Sequence, residues 1–289
     1  MHRAIVHIGL PKTGSTSFQR ALHARSGNLR AAGVRVLTYD GPDDQLAPPT
    51  RAFDLANCVV RPDLDGWWRS YLPESVLPAF VERGRDSIRR QAAEPEPLLV
   101  ASNEDLFLLR TEAEVERLVD LLAPREVHVV LVRRERDAWL RSLRGQLTDA
   151  GIRTVTTWPD SCSNLAPDSW IADVDGLVAL LESTLGPERV RVVDHDAALR
   201  DHGSVLPALW AACDLPAELL DADGDVGGSP ITWSNRSPAW FGAADAPAGV
   251  DEREWLRDRV VAQERELTRL RRVPWHRRLA SRLRRGLIT

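Results

Sequence analysis

The fold of this chain is decided by a stretch near its start, which reads AIVHIGLPKTGSTS over residues 4–17. Its first part is mostly apolar, as in a strand that is buried in a parallel sheet. Gly9 and Gly14 then allow backbone conformations that other residues resist. Hydroxyl residues follow, and they are typical of a helix start, so we predict a helix from about Thr16 to Ala32. The stretch therefore predicts a strand, a tight turn and a helix in direct succession.

The turn contains Lys12, which is the only lysine of the chain, since the other 37 of its 38 lysine and arginine residues are arginine. An ammonium group is compact, whereas a guanidinium group is a wide planar fork. We therefore expect the turn to surround an anion too closely for arginine. The backbone N–H groups and the dipole at the start of the following helix favour an anion at the same place.

The turn differs from the Walker A loop of nucleoside triphosphatases. The Walker pattern G-x-x-x-x-G-K-[ST] has its lysine directly after the second glycine. Here Ser15 follows Gly14, and Lys12 precedes that glycine by two positions. This order disfavours a kinase, and an atypical P-loop kinase remains the less favoured alternative.

A second strand-to-helix junction follows later in the chain. The apolar run VHVVLV at residues 127–132 predicts a buried strand, and a helix is predicted over about 136–147. Arg134 lies at the end of the strand, and Ser142 lies eight positions further along. An arginine fork can bind two oxygens of one terminal phosphate. Arg133 is the alternative if the strand ends one residue earlier, and an ion pair with a neighbouring acid is the alternative role of Arg134.

These two junctions together resemble the sulfotransferases that use 3′-phosphoadenosine 5′-phosphosulfate (PAPS). The resemblance rests on the loop PKTGSTS at residues 11–17 and on the pair Arg134 and Ser142, and it covers most of residues 1–215. It implies a P-loop-like α/β fold with three layers, in which a central parallel sheet is flanked by helices. It also implies that a sulfuryl group moves from PAPS, as co-substrate, to an acceptor hydroxyl without a metal ion. We expect a carbohydrate or glycolipid-like acceptor.

The resemblance also implies a role for each residue of the two motifs. Lys12 would stabilise charge on the oxygen that bridges sulfur and phosphorus. The 5′-phosphate would be held by the loop residues Pro11, Lys12, Thr13, Gly14, Ser15, Thr16 and Ser17. Arg134 and Ser142 would hold the 3′-phosphate, and Arg236 in a late loop would close over the nucleotide. Plain helix capping is the alternative for the hydroxyl residues.

A general base is expected directly after the predicted strand at residues 98–102. In the family that this chain resembles, cytosolic members use a histidine there and carbohydrate-directed members use a carboxylate. The segment after the strand contains Glu104 and Asp105 and no histidine. Glu104 is our prediction for the base, with Asp105 in reserve, and capping of the next turn is the alternative role. His7 is predicted to be a satisfied core residue, and His195 is a minor alternative for the base.

The composition indicates one α/β domain, because 289 residues with 43% hydrophobic content can bury a full core. A formal net charge of −4 disfavours binding to nucleic acid. Cys58, Cys162 and Cys213 are widely spaced, which disfavours a disulfide framework or a metal site and favours a reducing compartment. The chain begins on a predicted strand and has no run of about 18 apolar residues. We therefore expect a cytoplasmic protein without a leader or a spanning helix.

We predict two parts, a PAPS-dependent sulfotransferase-like α/β domain over residues 1–250 and a charged helix with an arginine-rich tail over residues 251–289. One helical stripe of the tail contains Trp275, Leu279, Leu283 and Leu287. A basic amphipathic helix of this kind can make peripheral contact with an anionic membrane. A helix docked on the domain is the alternative.

Acceptor specificity is expected in the insertions around residues 40–75, 150–172 and 214–249, the last of which is predicted to be loop. Trp170 lies in one of them, where a flat ring can stack on a sugar, whereas Trp139 and Trp210 are predicted to be core residues. A PAPS-fold binding module without catalytic activity is the non-enzymatic alternative. The sequence indicates no oligomeric state.

Overall fold

The structure is a computed structural model that describes residues 2–38, 52–64, 77–149 and 160–221. These residues all belong to one compact unit of the chain. Within them, five strands form one sheet: β1 (Arg3–Gly9), β2 (Val34–Val36), β3 (Leu98–Ser102), β4 (Glu126–Arg133) and β5 (Val190–Asp194). Every pair of neighbouring strands is parallel, and the order is β2-β3-β1-β4-β5.

Helices cover both faces of this sheet. In chain order they are α1 (Ser15–Ala24), α2 (Ser26–Ala31), α3 (Phe53–Val59), α4 (Leu77–Ala92), α5 (Glu112–Leu122), α6 (Arg136–Asp149), α7 (Val174–Leu185), α8 (His195–His202), α9 (Leu206–Ala212) and α10 (Ala217–Asp221). Short 3₁₀ turns occur at Glu104–Leu108, Trp170–Ala172 and Pro187–Arg189. The predicted α/β fold, with a central parallel sheet flanked by helices, is confirmed.

The central strands are buried on both faces because they are almost continuously apolar. Successive side chains of a strand point to opposite faces, so Val6 packs into one core and Ile5 into the other. The first core contains residues of α3 to α7, including Trp139. The second contains residues of α1, α2, α8 and α9, including Phe18 and Trp210. The prediction that Trp139 and Trp210 are core residues is confirmed.

The helix predicted from Thr16 to Ala32 is in fact two helices, α1 and α2, which meet at Arg25. Arg25 leaves the helical conformation, with φ −110° and ψ 9°. Its guanidinium group donates to the carbonyl oxygens of Leu219 and Leu220 in α10, at 2.6 and 3.2 Å. The carbonyls at the end of a helix lack partners within it. The break therefore places a donor at the end of a distant helix, a contact that local sequence does not predict.

Two further helices differ from the prediction. No helix is predicted directly after β5, yet α8 begins there: Asp194 accepts from the backbone N–H of Ala197 at 2.8 Å, and Gly203, with φ 69°, ends it. An aspartate before and a glycine after are the ordinary signals of such a helix. The prediction of loop over residues 214–249 is wrong for Ala217–Asp221, which is helical.

The strand order creates a crevice at one edge of the sheet. The chain leaves β1 toward β2 on one side, and it leaves β4 toward β5 on the other side. Adjacent strands whose connections diverge mark a topological switch point, where open α/β sheets bind their ligands at the carboxyl ends of the strands. At this edge, β1 leads into the turn of Lys12, and β4 leads to Arg134.

Some predictions concern residues outside the described ranges. They are the domain boundary at residue 250, the tail over residues 251–289, Arg236 and most of the three insertions, and all of them stay predictions. Within the described ranges, no helix is both long and apolar enough to cross a membrane.

Candidate functional site

The turn between β1 and α1 reverses the chain within a few residues. Lys12 and Gly14 both have positive φ angles, of 67° and 94°. Gly14 is also the residue at the N-terminal cap of α1. A Cβ atom on Gly14 would lie 2.3 Å from Cγ1 of Val205, so a side chain there would be strained and would clash. Both the backbone conformation and the packing therefore require glycine at this position.

Two carbonyl groups of the turn are bound by side chains that follow β4. Nε1 of Trp139 donates to the carbonyl of Pro11 at 3.0 Å. Nη1 of Arg134 donates to the carbonyl of Lys12 at 3.2 Å. In a trans peptide the C=O and the N–H point in opposite directions. The backbone N–H groups of Lys12 and Thr13 are therefore fixed so that they point away from these two donors.

Plain helix capping does not explain the hydroxyl residues of the loop. The cap of α1 is Gly14, and no side chain hydrogen-bonds to cap the helix start. The Thr13 hydroxyl instead donates to the carbonyl of Leu10 at 2.6 Å. Thr16 and Ser17 are half-buried in the first turn of α1. The capping alternative is wrong, and a ligand role for these hydroxyls stays a prediction.

Ser15 is turned inward beneath the loop. Its side chain is 2% exposed, and its Oγ atom lies 2.1 Å from the point that a Cβ of Gly9 would occupy. Gly9 thus leaves the space that the Ser15 hydroxyl fills, because any larger residue would displace it. The hydroxyl has no hydrogen-bond partner among the described residues. A hydroxyl predicted to bind phosphate is therefore buried and unpaired in this structure.

Arg134 connects the two motifs at the crevice. Besides its bond to the Lys12 carbonyl, it has a buried Nε atom with no hydrogen-bond partner among the described residues. The alternative role of Arg134 is an ion pair with a neighbouring acid. Glu135 instead accepts from the backbone N–H groups of Asp137 and Ala138, at 2.8 and 2.6 Å, at the start of α6. Arg134 therefore retains donors that can reach an anion.

Arg133 is the more exposed of the two arginines. Its Nη1 atom forms an ion pair with Oδ1 of Asp175 at 3.1 Å, and the two side chains are 51% and 84% exposed. Because β4 extends to Arg133, the residue directly after the strand is Arg134. Ser142 lies half-buried in the first half of α6. The geometry favours Arg134 over Arg133, and a role for Ser142 at the 3′-phosphate stays a prediction.

The two arginines line a cavity at the carboxyl ends of β4 and β5. Its volume is about 860 Å³, which is within the range of small-molecule sites. Its charged lining consists of Arg133, Arg134, Arg136, Arg200, Glu135, Asp168, Asp173, Asp175, Asp194 and Asp196. Within the described ranges, no cluster of acids is arranged to hold a metal ion.

Three helices begin at this cavity, and an acid caps each of them. Glu135 caps α6, Asp173 caps α7 and Asp194 caps α8, each by accepting from backbone N–H groups of its helix. A carboxylate at a helix start neutralises the positive end of the helix dipole. An anion in this cavity would therefore be held by arginine side chains and not by the helix starts.

The predicted base lies on the other side of the turn, because β3 and β4 flank β1 on opposite sides. Glu104 begins the 3₁₀ turn after β3 and is half-buried. The cap of that turn is Asn103, whose Oδ1 accepts from the backbone N–H of Asp105 at 2.7 Å. Capping by Glu104 or Asp105 is therefore wrong. Asp105 is only 2% exposed, so Glu104 is the more accessible carboxylate.

His7 is a core residue, as predicted. It is fully buried in β1, and its Nδ1 atom lies 2.9 Å from Oγ of Ser102. Burial lowers the pKa of His7 from 6.5 to about 3, so the imidazole is neutral at neutral pH. Its Nε2 atom has no hydrogen-bond partner among the described residues. The prediction of a satisfied histidine is therefore correct for one ring nitrogen only.

His195 begins α8, beyond β5 and therefore far along the sheet from Glu104. Its Nδ1 atom lies 3.0 Å from Oδ1 of Asp196, and this hydrogen bond is the main reason why the pKa of Asp196 is lowered. The position of His195 does not favour it as the base for an acceptor near Glu104.

Trp170 is held by two arginines. The guanidinium carbons of Arg61 and Arg110 lie 5.2 and 4.9 Å from the centre of its ring. Arg61 also pairs with the buried carboxylate of Glu114 at 3.1 Å. Burial lowers the pKa of Arg110 to about 10, which leaves it charged at neutral pH. Cation–π contacts inside the protein therefore account for this ring, and stacking on a sugar stays a prediction.

Two contacts of the site are absent from the predictions above. Asn103 caps the turn of Glu104, and an asparagine directly after a buried strand is a turn signal that sequence contains. Trp139 binds a carbonyl 128 residues away, so nothing in its neighbourhood along the chain indicates that contact.

Comparisons with known proteins give a likeness of fold. No family model matches the chain, and no curated protein matches it. A solved sulfotransferase from Alicyclobacillus acidocaldarius is similar with a TM-score of 0.44 and 13% identity, over 75% of this chain and 83% of that chain. A chain of the PezAT chromosomal toxin–antitoxin system of Streptococcus pneumoniae has a TM-score of 0.37 and 16% identity, over 68% and 70%. Retinol dehydratase, in complex with androsterone and the inactive cofactor PAP, has a TM-score of 0.29 and 15% identity, over 75% and 59%.

The buried neutral state of His7 predicts a loss of stability in mild acid. In the unfolded chain this histidine takes up a proton as the pH falls through 6.5, whereas in the folded chain it does so only near 3. The unfolded state binds more protons in this window, so the free energy of unfolding should fall by about 1.4 kcal/mol per pH unit. Between pH 7.5 and pH 5 the expected loss is about 2 kcal/mol, measured by urea unfolding.

The matched comparison for this prediction is His7→Gln, which has no proton to take up, against His23→Gln on the exposed surface of α1. The loss between pH 7.5 and pH 5 should be smaller in His7→Gln and unchanged in His23→Gln. The lowered pKa values of Glu96, Glu114 and Asp214 change the free energy of unfolding only as the pH falls below the ordinary carboxylate range. A comparison that stops at pH 5 therefore reports on the histidine and not on these acids. Equal losses in all three proteins would contradict a neutral buried His7.

Proposed function

We propose that this protein is a PAPS-dependent sulfotransferase, which moves a sulfuryl group to a hydroxyl of a carbohydrate or glycolipid-like acceptor. The observation that supports this most directly is the 3.2 Å contact between Nη1 of Arg134 and the carbonyl of Lys12. That contact joins the two motifs into one site at the switch point of the sheet. PAPS has a phosphosulfate and a phosphate on one ribose, so a ligand with two neighbouring anionic groups matches two neighbouring anion-binding elements.

The turn suits the phosphosulfate end of PAPS. The N–H groups of Lys12 and Thr13 are fixed in direction by the donors that hold the carbonyls of the turn. Donors that are fixed before the ligand binds need no rearrangement as charge develops. In this proposal the backbone of residues 11–17 holds the 5′-phosphate, and the Lys12 ammonium group stabilises the bridging oxygen.

Arg134 suits the 3′-phosphate. A guanidinium group has five N–H donors, and Arg134 uses one of them for the Lys12 carbonyl. The buried Nε atom, which has no partner among the described residues, is a further donor of the same fork. In this proposal Ser142 adds a hydroxyl from α6, and Arg236 closes over the nucleotide.

In the proposed reaction, the acceptor oxygen attacks sulfur in line with the oxygen that bridges sulfur and phosphorus. The new S–O bond forms as the bond to the bridging oxygen breaks, and adenosine 3′,5′-bisphosphate (PAP) leaves with that electron pair. The acceptor proton passes to Glu104, which is favoured over Asp105 by its accessibility. By analogy with phosphoryl transfer, the protein contributes mainly positioning and charge stabilisation.

The acceptor class follows from the base. A carboxylate at this position is the feature that carbohydrate-directed sulfotransferases share, and it supports a sugar hydroxyl as the acceptor. We also propose a cytoplasmic protein whose tail at residues 251–289 contacts an anionic membrane, where a glycolipid-like acceptor would lie.

Two other functions are weaker. An atypical kinase is disfavoured because Lys12 precedes Gly14 instead of following it. A binding module without catalysis would retain the nucleotide site, and turnover on sugar, lipid and phenolic hydroxyls with labelled PAPS separates it from an enzyme.

PAP should raise the melting temperature of the protein, as any ligand of the native state does. At a PAP concentration of 100 Kd the stabilisation is about 2.7 kcal/mol. Adenosine 5′-phosphate should raise it far less, since it lacks the 3′-phosphate. Arg134→Ala should remove this difference, whereas the neighbouring Arg133→Ala should keep it. Equal stabilisation by both nucleotides, or a preference for ATP with magnesium, would contradict the proposed function.

Lys12→Ala should lower turnover by about 10²–10³, the cost of losing one group that stabilises developing charge. Lys12→Arg should also fail, because the wider guanidinium head does not fit around the bridging oxygen. Arg20→Ala, on the exposed surface of α1, is the control for loss of a nearby positive charge. Substantial activity in Lys12→Arg would show that the turn does not require lysine.

Glu104→Gln should bind PAP normally and lower turnover by about 10²–10⁴, the usual range for loss of a general base. It should also remove the acidic limb of the pH–rate profile. Glu112→Gln, on the exposed start of α5, is the matched control. If Asp105→Asn has this effect and Glu104→Gln does not, the role belongs to Asp105.

A further inference from the structure

A row of buried polar side chains lies beneath the turn, and the proposed reaction does not use it. The row consists of Gln19 on α1, Ser102 on β3, His7 on β1 and Ser15, all of which are buried. Parallel pairing places His7 opposite Ser102. Nε2 of Gln19 lies 3.2 Å from Oγ of Ser102, and that oxygen lies 2.9 Å from Nδ1 of His7. Hydrogen bonds through Ser102 therefore join α1, β3 and β1 beneath the turn.

The donors of this row point in one direction. The side-chain nitrogen of Gln19 can only donate, so Ser102 Oγ accepts from it. The hydroxyl hydrogen of Ser102 is then satisfied when it goes to Nδ1 of His7. In a neutral imidazole one ring nitrogen accepts and the other carries the proton. This arrangement of donors corresponds to the tautomer of His7 that carries its proton on Nε2, the nitrogen without a partner among the described residues.

The Nε2 atom of His7 and the Oγ atom of Ser15 lie around the same point. A Cβ on Gly9 would be 3.0 Å from the first and 2.1 Å from the second. His7 and Gly9 lie two positions apart on β1 and hence on one face, so the missing side chain of Gly9 leaves room for both groups. Two buried polar atoms, each unpaired among the described residues, thus border the space that Gly9 leaves open.

Two further observations concern the orientation and the charge of the His7 ring. Its ring packs edge-to-face on Phe18 of α1, with 5.2 Å between ring centres and 77° between planes. Burial holds the pKa of His7 near 3, so the ring does not take a second proton at neutral pH. Ring orientation and charge are therefore both set before any ligand binds.

We propose that His7 is a positioning residue of the turn: with an anion bound, its Nε2–H donates to Ser15 Oγ, so the Ser15 hydroxyl hydrogen points to the anion. The row then runs from Gln19 through Ser102 and His7 to Ser15, with every donor directed toward the ligand. This row of neutral side chains would stabilise a bound anion through hydrogen bonds. It adds no buried charge, which would be costly to desolvate. The identity of the anion, the 5′-phosphate of PAPS or PAP, rests on the proposed function.

The test combines two measurements on the full-length protein with PAP as the probe. Nitrogen-15 NMR of the histidine ring reports which nitrogen carries the proton, and calorimetry reports the affinity for PAP. In the wild-type protein His7 should carry its proton on Nε2, and the resonance of that proton should move downfield when PAP binds. Ser15→Ala should remove this movement and weaken PAP binding about 10- to 100-fold, as for a hydrogen bond to a charged group.

Ser102→Ala is the decisive variant, because in this proposal Ser102 acts on the ligand only through His7. Without its hydroxyl, Nδ1 of His7 loses its donor, so the proton should shift in part to Nδ1 and PAP affinity should fall about threefold to tenfold. Ser87→Ala is the matched control, since Ser87 is also buried and accepts from Nε2 of Gln91 at the same 3.2 Å, on α4 away from the turn. It should change neither measurement.

Two substitutions of His7 and one double variant distinguish a positioning role of His7 from a packing role. His7→Gln keeps an N–H donor on a side chain of similar reach, whereas His7→Phe keeps the ring and loses the donor, so His7→Gln should bind PAP more tightly. If His7 acts through Ser15, the double variant His7→Phe with Ser15→Ala should bind no more weakly than Ser15→Ala alone.

The outcomes separate this inference from the proposed function. A wild-type protein that does not bind PAP contradicts the proposed function and removes the ligand on which this inference rests. PAP binding with the His7 proton on Nδ1, or with additive effects of His7→Phe and Ser15→Ala, overturns the inference alone. Unchanged PAP affinity in Ser102→Ala, despite a shifted proton, would also overturn it.

Discussion

The site depends on the parallel pairing of β1 with β4. Gly9, the last residue of β1, is in register with Val132, so the turn that follows β1 starts level with the end of β4. A slip of one residue would send every side chain of a strand to the opposite face, so burial of both cores keeps this register. The pairing brings together Nη1 of Arg134 and the carbonyl of Lys12, which are 122 residues apart along the chain.

Besides Arg134, neutral groups support the turn. Trp139 and Thr13 bind carbonyls of the turn without adding charge, and burial keeps His7 neutral below it. Around the cavity beside the turn, by contrast, carboxylates occupy the starts of three helices. Those acids would repel an anion that lacked an arginine partner.

The sequence predicts those features of the fold that depend on residues close together along the chain. Strands β3 and β4 lie where the apolar runs predict them, at residues 98–102 and 127–132. Helix α5 begins at a capping box of Thr111 and Glu114, a signal that the sequence contains. What could not be predicted depends on contacts between distant segments: the break at Arg25, the bond of Trp139 to the turn, and the inward position of Ser15. Helix α8 is different, since the aspartate before it and the glycine after it are capping signals that the sequence contains.

The central position of β1 has a consequence for how the chain is made. β1 is synthesised before its partners β3 and β4, which begin only at Leu98 and Glu126. Parallel pairing between distant segments is slow, because a long loop must close, with a loss of chain entropy, before the stabilising contacts form. During synthesis an apolar strand therefore leaves the ribosome well before either of its neighbours exists, exposed to aggregation or to chaperones. β1 can therefore pair with both neighbours only after two later segments of the chain have been made.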